Sequence, residues 1–413
     1  MVQSPAQQRA RTLLRADAVR SSAQRMLVLA LDGRLEDWRL DPDRLAPVAD
    51  YVATVVRERY PRLDVPVHSR WRHFLFGGRD LWDEIIRVAR WSTPEAAARS
   101  AFDLVITSVL LDAGAGNGWS YRDRATGLVA TRSEGLALAS LRWFADGGLS
   151  ASRDDPLRVD AAVLRQTDSE TLRHALQAGP ENELVGLEGR ASLLNRLGAV
   201  LESRPDVFAS RDTARPGGLF DALSARAVRG RIPATQVLET LLDALGPLWQ
   251  GRPSLAGVPL GDCWPHPALA GSVPEDGYVP LHKLSQWLSY SLIEPLKIAG
   301  ITVSDVPALT GLAEYRNGGL FVDLGVLSAS DPGMLSKTHL VSDPFVVAWR
   351  ALTVSLLDRL APLVAVRLGL APDLFPLANL LEGGTWAAGR RIARELRNDG
   401  RPPLSVFSDG TVF

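Results

Sequence analysis

The stretch Tyr278–Phe321, YVPLHKLSQWLSYSLIEPLKIAGITVSDVPALTGLAEYRNGGLF, decides how the chain is read. Leu281, Leu284, Leu288 and Leu292 recur at helical spacing and predict an amphipathic helix. Pro280 fits its first turn, where a missing N–H costs nothing, and Gly300 marks its end. His282, Lys283, Gln286 and Tyr290 ride on that helix without being needed for its apolar stripe. The second half delivers Glu314, Tyr315, Arg316 and Asn317 into the pair Gly318-Gly319. A carboxylate beside an arginine, followed by residues that allow close backbone approach, is either a ligand-binding turn or a structural ion pair at a turn.

Helical period continues outward on both sides. Ala10–Leu31 is amphipathic and stops at Asp32-Gly33, and Asp41-Pro42 opens a helix with Leu45, Val48, Val52, Val55 and Val56 inside. In HSRWRHFLFGGRD, residues 68–80, Arg70, Arg72 and His73 alternate with Trp71, Phe74 and Phe76 before Gly77-Gly78. That segment either holds an anion or a planar ring, or is amphipathic with arginines paired to surface carboxylates. Ser92-Thr93-Pro94-Glu95 caps a helix that is apolar almost all round and therefore central. Asp112 sits at its mouth, ahead of Gly114, Gly116, Asn117 and Gly118, where it lines a pocket or forms a C-capping turn. The glycines follow no strand and match no nucleotide-loop spacing.

Residues 154–250 read as a helical layer in which Arg190 and Asn195 are expected to be solvated or to cap. Gly251–Gly277 is a Pro- and Gly-rich run carrying Asp262, Cys263, Trp264 and His266. FVDLGVL, from Phe321, suggests a short strand, and Asp343-Pro344 opens a long helix that Pro362 is expected to kink or end. Glu382 precedes two glycines and Trp386, with Arg390 one turn on. The last residues suggest a hairpin over Asp409-Gly410. The expected fold is mainly α, a compact multi-helix domain with a few short strands, spanning 1–413 as one large domain in which an N-terminal part (1–150) and a C-terminal part (251–413) share one site.

The chain has 413 residues, 23% charged, with a formal net charge of −1, so nothing in the balance points to nucleic acid or an anionic membrane. One cysteine, Cys263, forbids an internal disulfide and reads as a buried inert thiol. The six histidines show no metal-ligand spacing, and no G-x-S-x-G elbow occurs, so neither a metal nor a cofactor is expected. The N-terminal MVQSPAQQRARTLLR lacks a signal peptide's apolar stretch, and the expected location is cytoplasmic.

The strings VPLHKLSQWLSYSLIEPL, TGLAEYRNGGLFVDLGVL, LLDAGAGNGWSY, TRSEGLALAS and LLEGGTWAAGRRIA resemble the uracil-catabolism protein 4 family over nearly the whole chain. The resemblance implies a role in a pyrimidine-degradation route in which a ribosylurea-type intermediate is split to urea and a ribose part. A second similarity is to the queuosine-salvage family of queuosine 5′-phosphate N-glycosylases. It lies in His282-Lys283-Leu284-Ser285-Gln286, in Glu314-Tyr315-Arg316, and in Glu382 ahead of Thr385-Trp386. This chain departs from that pattern in having Glu314 where the family has Asp and His282 where it has another aromatic. The similarity implies a DNA-glycosylase-like helical core and a metal-independent N-ribosyl hydrolase.

On that implication Glu314 is the carboxylate facing the anomeric carbon, with Asp112 in reserve. Lys283, with His282 beside it, faces a 5′-phosphate, and Arg316 orients Glu314 or holds a leaving-group oxygen. Trp287, Tyr315 and Trp386 wall the site, Glu382 meets the urea hydrogens, and Gln286, Asn317, Arg72 and His73 complete the set of candidate ligand contacts. The expected partner is a small nucleoside or nucleotide. The alternatives are a non-catalytic binding or scaffold subunit of the same pathway and an amidohydrolase acting on the urea portion.

Overall fold

The computed structural model describes residues 4–116, 118–210 and 213–407. The expected contribution of Asn117 and the terminal hairpin over Asp409-Gly410 lie outside them. Helices make up 57% of the described residues, and no described strand exceeds three residues. The fold is therefore mainly α. No described helix is long and apolar enough to cross a membrane.

The chain folds into two compact units that interleave in sequence. The first takes the N-terminal part to His68, Gly251–Gln286 and Asp305–Phe407. The second takes Ser69–Gln250 and Trp287–Ser304.

The first unit is built on the helix Pro344–Leu368, whose residues are apolar nearly all round, so it must be covered on several faces. Helices Ala16–Leu31 and Leu45–Arg59 do so, the second through the buried Leu45, Val48, Val52, Val55 and Val56. Pro362 neither ends this helix nor lies at its border; six further residues follow it in helical conformation. The helix Tyr315–Asp323 packs against it. Gly318 and Gly319 are thus helical residues, not a turn. A Cβ on Gly318 would stand 2.6 Å from the Trp349 ring, and its carbonyl accepts from Trp349 Nε1 at 3.1 Å. The pair is small because neighbouring side chains press on the helix. FVDLGVL is accordingly divided: its first residues finish this helix, and the strand is Leu327–Ala329, antiparallel to Trp38–Leu40.

Pro280 also departs from expectation. It closes the strand Tyr278–Pro280, paired with Cys263–Pro265, and the helix starts only at Lys283. His282, at φ 48°, makes the corner. Lys283–Ser291 and Ile293–Ile298 are separate helices, with Pro295 inside the first turn of the second. Leu281, Leu288 and Leu292 are buried as the stripe requires, while Leu284 is partly exposed. Cys263 is buried, and burial raises its thiol pKa, as an inert cysteine should show.

The second unit centres on Pro94–Leu110, N-capped by Thr93 and buried on all sides from Ser100 onward. Arg132–Ala145 and Leu187–Ser203 pack on it. Arg190 is not solvated; it caps, and from inside the core. It is fully buried and donates to the carbonyls of Leu111, Ala113 and Val185, which satisfies the open end of the central helix and the turn after it. Burial lowers its pKa to about 10. Asn195 does cap, donating to the carbonyls of Leu164 and Thr167 beside the helix Ala161–Gln166.

Candidate functional site

Glu314 is the N-cap of the helix Tyr315–Asp323. One carboxylate oxygen accepts from Asn317 N at 2.6 Å and the other from Arg316 N at 2.8 Å. Two otherwise orphaned helical N–H groups are satisfied, and the carboxylate is held at the positive end of the helix. The residue is 6% exposed. Burial pushes its pKa above the usual glutamate value, against the opposing pull of the two backbone N–H groups and of the Lys283 and Arg316 charges. A carboxyl held in this way is a stronger base than a solvated glutamate.

Lys283 opens the helix Lys283–Ser291, and the start of that helix is fixed from elsewhere in the first unit. Asp262 Oδ2 accepts from Lys283 N at 3.0 Å, and the Asp262 carbonyl accepts from the N–H groups of Leu281 and His282. Asp262 is in turn clasped by Arg350, with Nη1 to Oδ1 and Nη2 to Oδ2 both at 2.7 Å, and it also accepts from Trp264 Nε1 at 2.8 Å. Its pKa falls well below the usual carboxylate range because the Arg350 charge and these donors outweigh burial. Arg350 Nε donates to Ala313 O at 3.0 Å, one residue ahead of Glu314. A single guanidinium therefore positions both Lys283 and the Glu314 turn.

Neither Asp262 nor Arg350 stands out in the sequence as a site residue. The available signal is Arg350 itself, embedded in FVVAWRALTV: an arginine inside an all-apolar helix needs a buried acceptor.

Gln286 and Asn317 are both buried in this unit. Gln286 Oε1 accepts from Thr310 N at 3.3 Å, and Asn317 Nδ2 donates to Leu312 O at 3.0 Å. Arg316 is buried, donates to Gly400 O at 2.9 Å and stacks over its neighbour Tyr315 at 5.0 Å. His282 is buried with its Nε2 2.7 Å from Leu13 O. A carbonyl only accepts, so that nitrogen carries the proton, and burial lowers the imidazole pKa. Glu382 lies in a π-helical turn, Leu381–Thr385, between the helices Leu377–Leu380 and Trp386–Leu396. Its carboxylate accepts from Tyr60 Oη at 3.0 Å, lies 2.8 Å from His68 Nδ1 and is 3.8 Å from Arg59 Nη2. Trp386 carries Arg390 over its ring at 5.1 Å, as the one-turn spacing requires.

The remaining candidates belong to the second unit. Arg70, fully buried, donates to Ser108 Oγ at 2.7 Å and through Nη1 to Asp112 Oδ2 and Ser133 Oγ, each at 3.1 Å. Ser133 Oγ also donates to Asp112 at 2.5 Å. Arg70 Nη1 lies 3.2 Å from His73 Nδ1, which must accept, and the guanidinium sits 5.6 Å from the centre of the Trp287 ring. Arg72 pairs with Glu294 at 2.7 Å. Asp112, His73 and Trp287 thus gather round one buried arginine, while Arg72 is engaged elsewhere.

Among known proteins, residues 12–413 match the family described as "Protein of unknown function (DUF1688)". The chain is 38% identical over 415 residues to "Protein urg3" of Schizosaccharomyces pombe, covering 97% of this chain and 98% of that protein. It is 36% identical over 416 residues to "Uracil catabolism protein 4" of Lachancea kluyveri, covering 92% of this chain and 93% of that protein.

Proposed function

This chain belongs to the DUF1688 protein family, and from that membership we propose that it serves uracil degradation as an N-glycoside hydrolase. The reaction is ribosyl–NH–CO–NH₂ plus water to the free ribose and urea, on a ribosylurea or its 5′-phosphate. The place in uracil degradation is supported by the relative named uracil catabolism protein 4.

The observation that carries the reaction type is the Glu314 carboxylate. It is buried, locked at a helix N-terminus with one N–H on each oxygen, and raised in pKa. As the C1–N bond breaks, positive charge grows on the anomeric carbon and the ring oxygen. A fixed carboxylate in a water-poor setting stabilises that charge, and its remaining lone pairs accept a proton from the attacking water. The oxygen of that water ends on C1, and the departing nitrogen takes a proton to leave as urea. Lys283, whose charge acts on Glu314, opposes the effect of burial by favouring the ionised carboxylate, and it favours an anionic 5′-phosphate nearby. Arg350 and Asp262 are positioning residues. Glu382, engaged by Tyr60 and His68, anchors its π turn, and His282 anchors a chain corner.

The test is product analysis after ribosylurea 5′-phosphate meets the purified protein. Glycoside hydrolysis gives urea and ribose 5-phosphate. Ammonia and ribosylamine without urea would mean cleavage of the amide instead, and would overturn the reading.

A further inference from the structure

Among the first-unit side-chain atoms that are buried, polar and without a hydrogen-bond partner among the described residues, Gln286 Nε2 and Asn317 Oδ1 stand out because both residues bond to the segment that leads into Glu314. The residues are 0% and 1% exposed. An unmet buried donor or acceptor costs about 1–3 kcal/mol, so each needs a purpose.

Which amide end is unmet follows from the other end. Gln286 faces the N–H of Thr310, which only oxygen can accept, so its NH₂ points away from Thr310. Asn317 faces the carbonyl of Leu312, to which only nitrogen can donate, so its oxygen points away from Leu312. The unmet pair is therefore one donor and one acceptor, each fixed in orientation by a backbone partner.

Both partners lie on the segment that leads into Glu314. Asn317 is also the residue whose N–H holds the Glu314 carboxylate, and Gln286 stands three residues beyond Lys283 on the same helical face, with the Lys283 charge acting on Glu314. We infer that Gln286 and Asn317 recognise the terminal –CO–NH₂ edge of a ureide beside Glu314: Gln286 Nε2 donates to its carbonyl and Asn317 Oδ1 accepts from its terminal NH₂. The choice of ureide as ligand rests on the hydrolase reading above and names the chemistry by which that site selects its leaving group.

The experiment measures binding in the Glu314→Gln background, to suppress turnover, with two ligands: ribosylurea 5′-phosphate and the ribosylacetamide 5′-phosphate in which a methyl replaces the terminal NH₂. The acetamide keeps the carbonyl and loses the hydrogens that Asn317 would accept. Binding of the urea ligand is expected to be about tenfold tighter, the worth of one well-placed hydrogen bond in a dry site. Asn317→Ala is expected to erase that difference, and Gln286→Met to weaken both ligands alike. A purely structural role would move both ligands together in both variants.

Equal binding of the two ligands in the Glu314→Gln background overturns the inference without the Asn317 or Gln286 variant, so the test survives if either of those fails to fold. The two readings fail separately. Discrimination without urea release by the unsubstituted protein leaves this inference standing and removes the hydrolase, whereas urea release without discrimination does the reverse. Binding of neither ligand by the folded variant overturns this inference, and absence of urea release by the unsubstituted protein overturns the hydrolase.

Discussion

Asp262 and Arg350 meet fork to fork, both N–O distances 2.7 Å, although 88 residues separate them. The pair reaches Lys283 through the Asp262 carboxylate and the Glu314 turn through Arg350 Nε. Arg350→Met leaves the Asp262 carboxylate without its countercharge. Breaking a buried pair on one side costs on the order of 3–5 kcal/mol, to be read by denaturant unfolding. Arg350→Lys keeps the charge but cannot form the fork or reach Ala313 at the same time. In that variant kcat is expected to fall at least about tenfold with smaller change in KM, the mark of misplacement rather than lost binding.

The same pair sets an acid limit to stability. The folded-state pKa of Asp262 is depressed, so its contribution is complete above the unfolded aspartate value of about 3.9 and is lost as pH falls below it. Asp262→Asn is expected to flatten the stability curve in that acid range, measured by urea midpoints against pH.

Glu314 behaves in the opposite sense. Its pKa is raised by burial and partly restored by Lys283. A base must be ionised to act, so the acid limb of kcat/KM is expected above the ordinary glutamate range, near 4.3. Lys283→Met removes the opposing charge, and the limb moves to higher pH. A limb that stays in place would show that another group titrates.

Gly389 provides a packing test. A Cβ there would collide with the carbonyl of Arg316, backbone against backbone, where the helices Trp386–Leu396 and Tyr315–Asp323 touch. Gly389→Ala is expected to cost about 1–3 kcal/mol by overpacking and to lower activity by shifting the helix that carries Glu314 at its start. Gly179→Ala, with nothing within 4 Å of the added carbon, is the control and should stay within about 0.5 kcal/mol of the parent.

Much of the helical frame was legible. The helix start within Ser92-Thr93-Pro94-Glu95, where Thr93 rather than a capping box does the capping, the Asp41 cap, the valine face of Leu45–Arg59 and the apolar helix Pro94–Leu110 follow from local chemistry alone. What failed was what depends on distant partners. Gly318-Gly319 read as a turn because nothing local reveals that Trp349 presses on a helix there. Pro280 read as a helix start because the pairing strand, Cys263–Pro265, lies in a Pro- and Gly-rich run. Of the proposed site, the candidates Lys283, Gln286, Glu314 and Asn317 were legible in their own stretch. Asp262 and Arg350 were not, because their importance arises only when the fold joins them.

The most direct test compares urea release from ribosylurea 5′-phosphate by the parent protein and by Glu314→Gln, with ligand binding followed by protection against heat. The expected result is urea and ribose 5-phosphate from the parent, loss of about 10²–10⁴-fold in the variant, and protection retained in both. Equal release by both proteins would remove Glu314 from the chemistry. Protection without any urea from the parent would contradict the hydrolase and leave a protein that binds the ligand without cleaving it.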